Sequence, residues 1–195
     1  MGLALVSVSS TALVIRYVSV VPALTLAFWR MLSASLFLWI YSLIKKQTPL
    51  SLINKRRIVF AGVFLGLHFA CFFLGVRYTS IANATLLATL GPVFTSTISF
   101  FQGKKTSRNV YVGLGIALFG IIIIQYGDLS LSPKNLLGNA LSLLSSLFIA
   151  ITFTTAAEIR KDTGNVSYGR TLFLIAAITI GLIAIISGVS LNDFQ

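Results

Sequence analysis

Apolar residues in this chain gather into seven long runs separated by short polar connections. The runs are Gly2–Tyr17, Leu24–Leu43, Ile58–Val76, Ile81–Phe101, Val110–Tyr126, Leu136–Ala156 and Thr171–Val189. About 20 apolar residues carry a helix across a bilayer core, and each run reaches or approaches that length. Connections such as KKQTPLSLINKRR and QGKKTSRN hold most of the charge. The pattern predicts an all-α integral membrane protein, a helical bundle of about seven transmembrane helices. The first run is short and no basic stretch leads into it, unlike a secretory signal. It therefore reads as a spanning helix.

Composition supports a lipid solvent rather than an unusually large core. The 195 residues are 56% hydrophobic and only 10% charged, where soluble domains are about one quarter charged. A net charge of +11 raises nucleic acid as a partner. That reading needs a basic face on a soluble domain, whereas here the charge sits between apolar runs, so no nucleic-acid partner is expected. Cys71 is the single cysteine, which excludes a disulfide framework and a Cys/His zinc site.

The same charges predict orientation, because Lys and Arg accumulate in cytoplasmic loops. With the N-terminus inside, the inner loops collect Lys45, Lys46, Lys55, Arg56, Arg57, Lys104, Lys105, Arg108, Arg160, Lys161 and Arg170. The outer ends keep Arg16, Arg77 and Lys134. Trp29, Tyr78 and Tyr126 then fall near the outer interface, and Trp39, Tyr41 and Tyr111 near the inner one. The expectation is a multi-pass protein of the cell membrane with a cytoplasmic N-terminus. A G-protein-coupled receptor has the opposite orientation, and a retinal protein needs a lysine that the last run lacks.

GLALVSVSS (Gly2–Ser10) resembles GNALSLLSS (Gly138–Ser146), and Arg30–Met31–Leu32 answers Arg170–Thr171–Leu172. Five helices separate the copies, so the second would enter the membrane upside down. Inverted repeats of this kind characterise transporters that hold substrate near the midplane. Three stretches carry a resemblance to a known family: LTLAFWRMLSASLFL, GVFLGLHFACFFLGVRYTSIANATLLATLGPVFTSTIS and GLGIALFGIIII. In them the chain resembles EamA-type members of the drug/metabolite transporter superfamily. The resemblance implies ten helices in two inverted five-helix repeats, and movement of small metabolites, often export of amino acids or related compounds. On it, residues 1–127 are the first repeat and 128–195 a partial second one of two helices, lacking the last three. A truncated, non-transporting remnant or a membrane interaction partner is the competing expectation. Small-molecule substrate and membrane lipid are the expected partners, with assembly of identical copies left open.

A rise of about 1.5 Å per residue locates the midplane. Counted from Ile58, His68 lies roughly 15 Å deep, and Gly91–Pro92 reaches the same level from the other side. Pro92 lacks an amide hydrogen and predicts a kink, and opened backbone at that depth needs protein or a wet cavity around it. Ser9–Ser10 and Ser145–Ser146 fall near the same level. Gly62, Gly66 and Ala70 form a small-residue stripe for close helix approach, with Phe64, Leu65, His68, Phe72 and Gly75 on roughly the opposite side. The candidate substrate-binding residues are His68, Phe72, Asn83, Thr89, Gly91, Pro92, Ser10 and Ser146. The alternative for His68 is an interhelical hydrogen bond, and for the serines simple packing. Arg30, about 9 Å below the outer edge, either caps backbone carbonyls or binds a substrate anion. No catalytic set, metal-ligand cluster or phosphate-binding loop stands out, so neither enzyme activity nor a cofactor or metal is expected.

Overall fold

A computed structural model describes residues 2–45, 47–104, 107–127 and 132–192, excluding the side chains of residues 2–9, 117, 121 and 124–127. Among the described residues eight helices follow in order: α1 (Gly2–Tyr17), α2 (Ala23–Ile44), α3 (Leu52–Tyr78), α4 (Ile81–Ala88), α5 (Gly91–Phe101), α6 (Arg108–Gly127), α7 (Pro133–Ile159) and α8 (Asn165–Ile186). Among the described residues there is no strand. Ala23–Ile44, Leu52–Tyr78, Ile81–Phe101, Pro133–Ile159 and Asn165–Ile186 are each long and apolar enough to cross a membrane. The chain is a multi-pass, all-helical membrane protein.

The extra helix comes from one break. The fourth apolar run divides into α4 and α5 at Thr89–Leu90. Pro92 has no N–H to give the Ala88 carbonyl, and its ring crowds that oxygen. The preceding turn tightens: Leu90 N–H bonds to Leu87 O at 3.3 Å, and Thr89 Oγ1 donates to Leu86 O at 2.6 Å. Pro92 itself stands in the first turn of α5, where its missing N–H costs no bond.

Caps explain where the helices overrun or fall short of the apolar runs. Ser51 accepts from the Asn54 amide and starts α3 six residues before Ile58. Ser80 and Ser132 cap α4 and α7 in the same way. α8 starts at Asn165 and stops at Ile186, three residues before Val189. Gly188 takes φ +68°, and Val189 N–H bonds to Ala184 O while Gly188 N–H bonds to Ile185 O. This pair of bonds closes the helix through a left-handed residue that glycine adopts without steric cost.

α3 forms the centre of the bundle, packed on α7 and α8, while α2 packs on α8. The stripe seen in the sequence is one of the seams. A Cβ at Gly62 would lie 2.7 Å from Ile175, and one at Gly66 would lie 2.7 Å from Thr179 Cβ. Toward the other end of α3, Gly75 meets Ser142 of α7, and Gly138 of α7 lies under Thr79.

Polar ties fix the two ends of this core. At one end, Arg77 donates to Ser19 O at 2.8 Å and Val21 O at 2.7 Å, and Arg16 donates to Val76 O at 3.1 Å. These bonds hold the α1–α2 connection to the last turn of α3 and satisfy carbonyls that the helix ends leave open. At the opposite end, buried Asn54 donates to Asp162 Oδ1 at 2.6 Å and Thr163 Oγ1 at 3.0 Å. That ties α3 to the α7–α8 connection.

Candidate functional site

Five helices leave a cavity of about 650 Å³ between them. Small-molecule sites commonly fall between about 300 and 1,000 Å³. α1 contributes Thr11 and Leu13, α2 Arg30, and α3 His68, Phe69 and Phe72. The α4 side supplies Ile81, Thr85 and Thr89, and α7 supplies Ile149 and Phe153. His68 stands ten residues from the Tyr78 end of α3 and Arg30 seven from the start of α2. The cavity therefore lies roughly 10–15 Å below the end of the bundle that carries Arg16 and Arg77.

His68 is fixed by its neighbours. Its Nδ1 lies 2.8 Å from Ser145 O of α7. A carbonyl only accepts, so Nδ1 carries the hydrogen of this bond. In the neutral ring Nε2 is then a bare acceptor. The imidazole stacks on Phe72, with planes 6° apart and centroids at 6.2 Å, and meets Phe69 edge-on at 4.8 Å. The ring thus makes an interhelical hydrogen bond and also stands on the cavity wall.

Arg30 behaves differently from its sequence counterpart. Arg170 donates to Ser42 Oγ at 2.8 Å, lies 4.3 Å over the Trp39 ring, and accepts at its carbonyl from Ser35 Oγ. It joins α8 to α2. Arg30 lies 5.3 Å over Phe69 and, among the described residues, has no hydrogen-bond or ion-pair partner. The lining hydroxyls are largely spent on their own helix: Thr85 Oγ1 donates to Ile81 O at 2.7 Å and Thr89 Oγ1 to Leu86 O. Arg30 and the His68 ring are thus the strongest polar groups facing the space.

The residues singled out in the sequence divide accordingly. His68, Phe72, Thr89 and Arg30 line one cavity. Ser10 is half-buried beside Thr11, itself on the wall. Ser146 is fully buried and its Oγ bonds back to Leu143 O at 2.7 Å. Gly91 is buried against α7, where a Cβ would stand 3.2 Å from Ile149 Cγ2. Pro92 is exposed, and Asn83 is buried at the start of α4 with its Oδ1 unpaired among the described residues. All five, Ser10 included, stand outside the lining. Phe69, Ile149 and Phe153 belong to the wall and were not foreseen. Ile149 and Phe153 share a face at helical spacing, but nothing in the sequence says which face of α7 meets α3.

Comparison with known proteins places the chain. The EamA-like transporter family model matches residues 1–126. An "uncharacterized transporter" of Helicobacter pylori strain J99 is 25% identical over 107 residues, 54% of this chain and 35% of that protein. The protein named pseudopaline exporter CntI of Pseudomonas aeruginosa is 30% identical over 115 residues, 58% of this chain and 40% of that protein. The match thus spans well under half the length of these relatives. No solved structure matches. About two thirds of the chain fit one family model, five segments of the described residues are long and apolar enough to cross a membrane, and its named relatives are transporters: the chain belongs to the EamA-like transporter family, whose members are transporters and not enzymes.

Proposed function

We infer that the chain acts in the export of a small metabolite, an amino acid or a related compound, by alternating access around the cavity between α1, α2, α3, α4 and α7. The observation that carries this reading is the cavity itself: small-molecule sized, inside the bundle, and lined by apolar rings around Arg30 and His68. A relative named as an exporter supports the direction. The two copies at Gly2–Ser10 and Gly138–Ser146 support an inverted repeat, with 1–127 as its first half and 128–195 as part of its second. α2 and α8 accord with it by running antiparallel: Thr25 bonds to Ser190 O and Ser167 to Thr48 O. Rocking of one repeat against the other would open the cavity to each side in turn. The distribution of Lys and Arg supports a cell-membrane protein with a cytoplasmic N-terminus.

In this mechanism Phe69, Phe72 and Phe153 hold the apolar part of the substrate, and the Nε2 lone pair of His68 accepts a hydrogen from it. Proteoliposomes loaded with a mixture of radiolabelled amino acids test the reading. Wild-type protein should release at least one label faster than equally loaded protein-free liposomes, and His68→Ala should slow that release or change which label leaves. Release equal to that of the protein-free liposomes for every label would reject transport of this class. Unchanged rate and preference in His68→Ala would reject the site.

A further inference from the structure

We propose that Arg30 is the specificity-determining residue of the cavity and that it selects substrates bearing a carboxylate or an equivalent oxyanion. The proposal rests on the reading of this cavity as the substrate site. Arg30 is half-buried, and a guanidinium drawn partly out of water is costly unless something replaces its hydration. The structure shows what a structural arginine looks like in this bundle, because Arg170, Arg77 and Arg16 each donate to protein oxygens. Arg30 donates to none among the described residues, yet it borders the cavity.

Its surroundings leave it short of negative charge. The described acidic residues are Glu158 and Asp162, both at the far end of the bundle. Glu158 is bonded to Lys104 and Lys161, and Asp162 to Asn54. The described cavity wall carries no carboxylate. Phe69 covers one side of the guanidinium, and a ring face attracts the cation without using its hydrogens. The N–H groups lie in the guanidinium plane and form a fork matched to two oxygens of one carboxylate. An oxyanion entering the cavity would complete the charge, the hydrogen bonds and the desolvation together. Its apolar remainder would lie along Phe72, Ile149 and Phe153.

A binding measurement separates this from transport itself. The whole chain in phosphatidylcholine nanodiscs is titrated calorimetrically with 3-phenylpropionate and with its neutral isostere 3-phenylpropionamide. The acid should bind on the order of tenfold more tightly than the amide, since charge-assisted bonds exceed neutral ones. Arg30→Gln should bring the two together. Arg30→Lys, which keeps the charge and loses the fork, should fall between them and serves if the glutamine variant does not fold. Equal binding of acid and amide, a preference that survives in Arg30→Gln, or no binding of the acid at millimolar concentration would each overturn the proposal.

A lipid phosphate could present the same oxyanion. Titration in nanodiscs containing phosphatidylglycerol, with bound lipid read by intact mass, distinguishes the source. If wild type retains phosphatidylglycerol that Arg30→Gln loses, and the acid no longer outbinds the amide, Arg30 is a lipid site and the proposal fails. Selective binding without flux in proteoliposomes would refute transport by this chain while leaving Arg30 assigned. Flux without acid selectivity would do the reverse.

Discussion

Replacing Gly66 by alanine tests the seam on which the bundle rests. The new Cβ would stand 2.7 Å from Thr179 Cβ and 2.9 Å from the Ala176 carbonyl oxygen. The second atom belongs to the backbone of α8, so rotating a side chain cannot relieve the clash. α3 and α8 must separate, and overpacking of this kind costs about 1–3 kcal/mol. Alanine returns up to about 1 kcal/mol of helix propensity, which leaves a net loss of up to about 2 kcal/mol, and of about 1–3 kcal/mol relative to a glycine-to-alanine change in open space. Gly113 in α6 supplies the control, because a Cβ there meets nothing within 4 Å among the described residues. Gly113→Ala should be neutral or slightly stabilising by the same propensity term. Unfolding of both variants by sodium dodecyl sulfate in mixed micelles, followed by circular dichroism, gives the comparison. A midpoint for Gly66→Ala as high as that of Gly113→Ala would refute the close approach of α3 to α8.

Other contacts make independent predictions. Asn54→Ala should cost about 1–3 kcal/mol in the same assay, because Asp162 and Thr163 lose a buried donor; a shift smaller than that of an exposed Asn→Ala control would contradict the tie between α3 and the α7–α8 connection. Arg77→Gln should free the segment around Ser19 and Val21, seen as at least tenfold faster amide exchange there with little change in α7. Arg170→Gln should lower stability by roughly 1–2 kcal/mol through loss of the Trp39 and Ser42 contacts. It should leave the acid-to-amide binding ratio untouched, and a changed ratio would place the selective charge at the wrong arginine.

Much of the architecture was legible because lipid imposes it. Seven apolar runs had to be helices, since a helix satisfies its own backbone in hydrocarbon, and each run corresponds to a helix or, once, to a broken pair. Gly62, Gly66 and Ala70 read correctly as a packing stripe because small residues four apart share a face. The break was less legible. Pro92 marked its neighbourhood, but the irregular turn falls at Thr89–Leu90, where the proline ring meets the preceding turn. Depth counting likewise brought His68, Gly91, Pro92 and Ser146 to one level. It could not say which way each side chain points around its helix: Gly91 lies in the α5–α7 contact, and Ser146 is fully buried with its hydroxyl bonded back to Leu143 O. The internal match paired Arg30 with Arg170, yet their environments diverge. Trp39 and Ser42 reach Arg170, whereas Arg30, without a hydrogen-bond partner among the described residues, lies over the Phe69 ring.

Whether the cavity is a water-accessible pathway is the claim on which the transport account stands. Cysteine accessibility measures it directly. In a Cys71→Ser background, a cysteine replaces Phe72 on the cavity wall or Phe37 on α2, which is 72% exposed on the apolar exterior. Membrane-impermeant thiosulfonates are then applied to each face of oriented proteoliposomes. The account predicts that Phe72→Cys reacts from both faces, faster with the anionic reagent than with the cationic one, while Phe37→Cys stays inert. Phe72→Cys as unreactive as Phe37→Cys would contradict it.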